Sequence, residues 1–191
     1  MSARILVGVL AIARIAVATS SSITHSYAPI PTHSVQLDLD FVEEEFKKAG
    51  SNSTIEINDS SPAAITDYTG PTSYSAAAIN APINCASTDT YDGLIAWFDG
   101  EFDAGRCADA CTARTTYNLA NGFTTRPCRF FNTYVLNKGG VIYAQNCALY
   151  TQRWADTYAT NSGQVGSDGS IYTITQSVGY YLTDDAGPCQ P

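Results

Sequence analysis

The pattern of hydrophobic and polar positions is clearest in the second half of the chain, where it predicts a helix followed by a hairpin. Asp103 is a favourable N-cap, and Ala104 to Asn118 follow helical periodicity. Two strand-like segments, 128–136 and 141–149, flank Asn-Lys-Gly-Gly, which is typical of a hairpin turn. A third strand region is predicted over 170–182. One face of it is expected to carry Tyr172, Ile174, Val178, Tyr180 and Leu182.

The first half of the chain has a weaker pattern. Residues 35–41 alternate as in a strand, and 41–48 predict a short helix with acidic residues first and basic residues last, as the helix dipole favours. The pair Lys47-Lys48 is a weak signal for proteolytic processing. Residues 51–84 are rich in Ser, Thr, Asn, Ala and Pro, and they predict a linker that buries too little apolar area to offset its ordering entropy.

The hairpin pattern also predicts which residues face the helix. Pairing Leu136 with Val141 places Cys128 and Cys147 on the same face, because side chains alternate with period two. The core under the helix is then expected to contain Phe130, Tyr134, Leu136, Val141, Tyr143 and Leu149.

The N-terminus resembles a secretory signal peptide over residues 1–18. Arg4 supplies a positive charge, residues 5–13 form a short apolar run, and Ala16-Val17-Ala18 is a small-residue cleavage site. The alternative is an uncleaved N-terminal anchor, but the run is too short to span a bilayer, which needs about 20 residues. We therefore expect an exported, extracellular protein, either free or associated with a cell wall, in which cysteines pair as disulfides.

The composition divides the chain into an N-terminal tail or propeptide with a short helix at 19–50, the linker at 51–84 and a folded domain at 85–191. The folded domain holds every cysteine and both tryptophans. The linker contains two sequons, which make Asn52 and Asn58 candidate glycosylation sites.

Six cysteines allow fifteen pairings, which the sequence alone does not resolve. Cys107 and Cys111 lie four residues apart on one helix face, and we do not expect them to bond to each other. Their spacing of about 6 Å matches the roughly 7 Å between the two hairpin cysteines, which suggests two disulfides from helix to hairpin. Cys85 and Cys189 remain, and their pairing would close a loop of about 100 residues worth up to ~4.7 kcal/mol. In a reducing compartment the four inner cysteines could instead bind zinc, which the signal peptide argues against.

Charge and histidine content exclude several functions. Ten basic and eighteen acidic side chains give a net charge of −8, so we expect no nucleic-acid partner. The two histidines, His25 and His33, are both near the N-terminus, which argues against a Ser-His-Asp triad or a histidine-ligated metal in the folded domain. Phosphate-binding and dinucleotide-binding glycine motifs are absent. We expect no cofactor and no metal.

The cysteine order resembles that of the PAN/apple domain: Cys107-Ala-Asp-Ala-Cys111 on a helix, then Cys128-Arg-Phe-Phe, then Cys147-Ala-Leu before a late strand. The resemblance covers 85–189 and implies an α+β fold, in which one main helix packs on an antiparallel sheet. It also implies three nested disulfides, Cys85–Cys189, Cys107–Cys147 and Cys111–Cys128. Domains of this family generally bind proteins or carbohydrates without catalysis.

A longer run of sequence is similar to a group of secreted proteins of filamentous fungi with unassigned activity. The matching segments are Thr116-Tyr-Asn-Leu-Ala, Phe130-Phe-Asn-Thr-Tyr-Val-Leu and Tyr158-Ala-Thr-Asn. This similarity adds no functional residue.

Aromatic residues supply the candidate binding site. Tyr150, Trp154 and Tyr158 are spaced four apart and flank Arg153 and Asp156, so a helix would present them as one stripe. Flat rings beside polar groups suit sugars and also protein interfaces. The alternative is that the stripe packs in the core.

Carboxylates supply the candidate catalytic groups of an alternative function. Asp99, Glu101 and Asp103 could serve a small carbohydrate-active hydrolase, which needs two carboxyl groups about 5–9.5 Å apart. Asp103 already has an explanation as the helix cap. Asp99 and Glu101 could ligate calcium, but a solvated turn is the preferred explanation for them. We assign no catalytic residue.

The sequence therefore predicts a secreted, non-catalytic binding module that recognises a glycan or an extracellular protein. The alternatives are the small hydrolase and a structural component of a cell wall or matrix. The ligand and the oligomeric state do not follow from the sequence.

Overall fold

The structure, a computed structural model, describes residues 37–58 and 62–185 together with Gly187 and Cys189. The predicted signal peptide and both histidines lie outside these residues. The fold is α+β, as predicted, with two helices and a mostly antiparallel sheet. The helices are α1, Leu39–Lys48, and α2, Ala104–Ala120. The strands are β1 Thr54–Glu56, β2 Tyr68–Ser75, β3 Ala78–Ile79, β4 Tyr91–Trp97, β5 Asp99–Glu101, β6 Phe130–Lys138, β7 Val141–Tyr150, β8 Ala159–Asn161, β9 Gly163–Val165 and β10 Ile171–Leu182.

The main sheet has the strand order β2-β10-β6-β7-β4, and β9 pairs with the first residues of β10. Two small pairs flank it: β1 runs parallel to β5, and β3 runs antiparallel to β8. Helix α2 packs on one face of the main sheet, while α1 and the β3–β8 pair cover the other. The sheet is therefore buried on both faces, as the continuous burial of β6 reflects.

The central hairpin is present, but its register differs from the prediction. Two glycines form a tight turn in which Lys138 pairs with Val141, and a bulge after Leu136 then pairs that residue with Ala144. The bulge reverses the faces, because one extra residue changes the direction of every side chain beyond it. The expected core under α2 was therefore wrong: Phe130, Tyr134 and Leu136 face α1. Of the expected set, Leu149 lies under α2, and Val141 is 70% exposed.

A second bulge divides β10 in the same way. Thr175 pairs with Val135 and Val178 with Thr133, so β10 has one residue more than β6 over this stretch. Tyr172 and Ile174 pack on the α1 face, whereas Val178 and Tyr180 pack on the α2 face. The single face predicted for β10 does not form.

The predicted linker contributes strands to the fold. Within it lie β1, β2 and β3, and β2 pairs with β10 in the main sheet. Few apolar residues suffice here, because the backbone pairing orders the segment while Tyr74, Ala78 and Ile79 are buried. The short helix predicted at 41–48 is also present, and it packs on the sheet instead of extending from it as a tail.

All three predicted disulfides are present, with Cα atoms 5.4 Å apart for Cys85–Cys189, 5.7 Å for Cys107–Cys147 and 5.3 Å for Cys111–Cys128. The two inner bonds attach α2 to the hairpin side of the sheet, as the matching spacings predicted. Asp103 caps α2 by accepting a hydrogen bond from the Gly105 amide at 2.8 Å.

A buried ion cluster fixes the second half of α2. The Asp92 carboxylate on β4 is fully buried, and it lies 3.2 Å from Arg114 Nε and 3.4 Å from Arg126 Nε. Asn118 Nδ2 donates a hydrogen bond to Oδ2 of the same carboxylate at 2.7 Å. Two guanidinium groups thus share one carboxylate, and charge holds α2 to β4 in addition to the disulfides that join α2 to β7 and to Cys128.

Candidate functional site

The residues predicted as an aromatic stripe do not lie on one helix. Tyr150 is the last residue of β7, and Tyr158 ends a 3-10 turn over Asp156–Tyr158. Between them the chain forms a loop that carries Arg153 and Trp154. The change of backbone direction after β7 separates the rings that helical spacing would have aligned.

Two of these aromatic residues belong to the core. Tyr150 and Trp154 are each 3% exposed. The Tyr150 hydroxyl donates to the Ile79 carbonyl at 3.1 Å, and Trp154 Nε1 donates to Thr90 Oγ1 at 2.9 Å. The Trp154 ring also packs edge-on against Tyr158, with centroids 4.8 Å apart. The buried rings of Tyr150 and Trp154 are therefore unable to stack on a ligand, and they pack beneath the loop.

Three of the five predicted residues line a groove that we call the Arg153 groove. It encloses about 440 Å³ and brings Arg153, Trp154 and Asp156 together. Tyr150 and Tyr158 do not line it. The other lining residues come from β2, β6, β10 and the loop, and they are Thr72, Tyr74, Phe130, Ala155 and Tyr181.

The groove combines an aromatic floor with opposite charges at its rim. The Arg153 guanidinium lies over the Tyr181 ring, 4.8 Å from its centroid, in a cation–π arrangement. Asp156 also lines the groove, and its side chain is exposed. The rings of Tyr74, Phe130 and Trp154 are buried beneath. Such a concave site, with an apolar floor and a few polar groups, is the usual form of a small-ligand site.

Tyr74 depends on a glycine opposite it. A Cβ atom at Gly179 would lie 2.7 Å from Tyr74 Cε2, so no larger residue fits without moving the ring. Burial raises the pKa of the Tyr74 hydroxyl, and the negative charge of Asp156 raises it further. Tyr74 therefore presents a neutral hydroxyl over the accessible pH range.

Sequence reasoning missed Tyr74 and Tyr181, which complete the groove. Tyr74 lies within the predicted linker, where an isolated tyrosine gives no periodic signal. Tyr181 neighbours Tyr180 on β10, and only the bulge decides which of the two faces the groove.

The three carboxylates of the hydrolase alternative have separate surroundings. Asp103 caps α2, and Asp99, whose side chain is 80% exposed, lies 3.5 Å from Arg106 Nη2. Glu101 lines a second groove of about 920 Å³ beside Phe102, and Asp103 also borders it. Of the two carboxylates that line this groove, Asp103 accepts a hydrogen bond from the N-terminus of α2. The Glu101 carboxylate makes no hydrogen bond within the described residues.

No metal site is formed among the residues that the structure describes, where no three His, Cys, Asp or Glu side chains lie close enough to hold an ion. Within the same residues, no helix has the length and apolar character to cross a membrane. The described cysteines are all paired.

The two sequon asparagines are exposed. Asn52 precedes β1, and Asn58 lies on the border of the second groove. Glycosylation at either position stays a prediction.

No family model matches the chain, and comparisons with curated proteins and with solved structures find no match. The resemblance to the PAN/apple domain therefore rests on the cysteine order alone and stays a prediction.

Proposed function

We propose that this protein is a secreted binding module whose Arg153 groove recognises a carbohydrate. The observation that carries the proposal is the placement of Arg153 over Tyr181 in a groove that Asp156 also lines, above a floor of buried aromatic rings. It depends on no catalytic group.

The chemistry of the groove suits a ring that carries several hydroxyl groups. The guanidinium presents N–H donors in a planar fork that can bridge two adjacent hydroxyls, and the Asp156 carboxylate can accept hydrogen bonds from others. Stacking on Tyr181 holds the guanidinium in place, which lowers the entropy cost of using it. The half-buried Tyr181 ring adds an apolar surface of the kind on which a sugar face packs.

An extracellular location fits the covalent structure. Three disulfides stabilise the described fold, and such bonds persist in oxidising environments. The predicted signal peptide supports the same location.

Binding to a glycan array and to insoluble wall polysaccharides tests the proposal. We expect Arg153→Gln and Asp156→Asn to weaken binding about 10- to 100-fold, since a hydrogen bond to a charged group contributes roughly 1.5–3 kcal/mol. The matched controls are Arg129→Gln and Asp109→Asn, which make the same changes at surface positions outside the groove. Trp154→Ala is unsuitable, because removal of a buried ring would destabilise the fold.

Two results would contradict the proposal. Equal glycan binding by the groove variants and the controls would place the site elsewhere, and the second groove beside Glu101 would be tested next. Failure of the wild-type protein to bind any glycan would reject a carbohydrate ligand and leave a protein partner, sought by pull-down from extracellular material.

A further inference from the structure

Helix α1 is attached to the fold differently from α2. Two disulfides bond α2 to the rest of the chain, whereas no disulfide reaches α1. Residues 49–52, which connect α1 to β1, are exposed, and Gly50 and Ser51 both have left-handed backbone conformations. Helix α1 is therefore held on the sheet by non-covalent contacts and one exposed connection.

One carboxylate anchors α1. Glu43 Oε1 lies 2.9 Å from Lys138 Nζ and accepts a hydrogen bond from the Tyr172 hydroxyl. The same ammonium group lies 5.4 Å from the ring centroid of Tyr143 and 5.3 Å from that of Tyr172. Asp168 Oδ2 approaches it at 3.3 Å from outside. Lys138, whose ammonium group packs against two tyrosine rings, thus binds one carboxylate from α1 in addition to that of Asp168.

Apolar contacts also hold α1 on the sheet. Val42 is fully buried. The Phe46 ring lies 5.2 Å from that of Phe98 and 4.5 Å from that of Tyr143. The surface of the sheet that α1 covers, which we call the groove beneath α1, thus contacts an acidic residue, Glu43, with apolar residues one position before it and three after it. This spacing is the pattern of an amphipathic helix.

The end of α1 is a point at which the chain can be cut. Lys47 and Lys48 are exposed in its last turn, and the Lys48 ion pairs with Glu44 and Glu45 are on the surface, where such pairs contribute little. The chain has one other lysine, Lys138, which is the last residue of β6 and whose ammonium group is engaged by Glu43.

We propose that the groove beneath α1 is a binding site for an acidic amphipathic helix, that α1 is its intramolecular occupant, and that proteolysis after Lys48 makes this occupant exchangeable. The cut hydrolyses the Lys48–Ala49 peptide bond: water supplies a hydroxyl to the new Lys48 carboxylate and a proton to the new Ala49 amine. A protease that recognises paired basic residues carries it out. This site is separate from the Arg153 groove and does not rest on its function.

The experiment uses the full chain with its disulfides intact and a lysine-specific endoprotease under native conditions. We expect the first cut after Lys47 or Lys48, seen by mass spectrometry, while near-ultraviolet circular dichroism stays native and the fragment co-elutes with the body of the protein. An excess of a labelled peptide of residues 37–48 should then replace the fragment.

Two peptide variants test the contact between the α1 carboxylate and Lys138. Glu43→Gln should bind at least about tenfold more weakly, because it loses the charge-assisted contact to Lys138. Glu44→Gln is the matched control, since Glu44 contacts only the exposed Lys48 among the described ion pairs, and it should bind like the parent peptide.

Three outcomes would overturn the proposal. A first cut at Lys138 would show that the α1 connection is protected. Loss of the native circular dichroism after the cut would show that α1 is an inseparable part of the fold. Equal binding of the two variant peptides would show that Lys138 does not select the Glu43 carboxylate. Glycan binding at the Arg153 groove is measured separately, so failure of either proposal leaves the other testable.

Discussion

Asp92→Asn should destabilise the protein strongly. Oδ1 of the buried Asp92 carboxylate accepts hydrogen bonds from Arg126 Nε and Arg114 Nη2, while Oδ2 accepts one from Asn118 Nδ2 and lies 3.2 Å from Arg114 Nε. An asparagine amide would direct its own N–H groups at one of these donors and leave two guanidinium charges without a counter-charge. Removal of one partner from a buried ion pair costs about 3–5 kcal/mol. At about 2–4 °C per kcal/mol, the melting temperature should fall by roughly 6–20 °C.

Thermal unfolding followed by circular dichroism measures this effect, and Asp99→Asn is the matched control. Asp99 pairs with Arg106 at 3.5 Å on the surface, so the same substitution there should cost less than about 1 kcal/mol. Arg114→Met on the Asp92→Asn background should restore part of the loss, because it removes one of the unpaired buried charges. Equal melting temperatures for Asp92→Asn and Asp99→Asn would refute the reasoning, since burial would then make no difference to the value of the ion pair.

Three further predictions concern other parts of the fold. Burial raises the pKa of Glu43, but hydrogen bonds from Tyr172 and Lys138 outweigh it and hold this pKa below its ordinary value of 4.5. The ionised Glu43 should therefore stabilise the folded protein at neutral pH, and this stabilisation should be lost as the pH falls below that value. Glu43→Gln should remove this part of the pH dependence and flatten the acid side of a curve of unfolding free energy against pH. An unchanged curve would argue against the contact. Gly179→Ala should cost about 1–3 kcal/mol and weaken glycan binding by displacing the groove floor, which denaturant titration and binding assays would show. Cys111→Ala should lower the free energy of unfolding by about 3 kcal/mol, because it removes the disulfide that links two cysteines 17 residues apart. An unchanged denaturation midpoint would contradict a structural role for that disulfide.

The sequence predicts well those parts of the fold that local geometry determines. The i, i+4 spacing of Cys107 and Cys111, the Asp103 cap and the glycine turn together led to the helix, the hairpin and their cross-links. Each depends on a few neighbouring residues. Strand β2 gave no comparable signal, because its order comes from backbone pairing with β10, more than 100 residues away in the chain.

The candidate site is predicted in part for the same reason. Arg153, Trp154 and Asp156 are close in sequence and line one groove. The ring beneath Arg153 comes from β10, and its direction depends on a bulge that period-two alternation does not reveal. The aromatic stripe was interpreted as helical, whereas its first ring ends a strand.

The bulge in β10 has a consequence for how this fold tolerates insertions and deletions. Gln176, at its centre, has a φ of 49° and an exposed side chain, so it resembles a loop residue at which length changes are harmless. Its deletion would instead remove the one-residue shift, and every side chain from Val178 onwards would change faces, moving Tyr180 towards the α1 face and Tyr181 towards α2. In a set of diverging homologues, a gap at this position should therefore occur only with a compensating one-residue change in β2 and β6, whereas gaps at the exposed Gly139-Gly140 turn should be free of such a constraint.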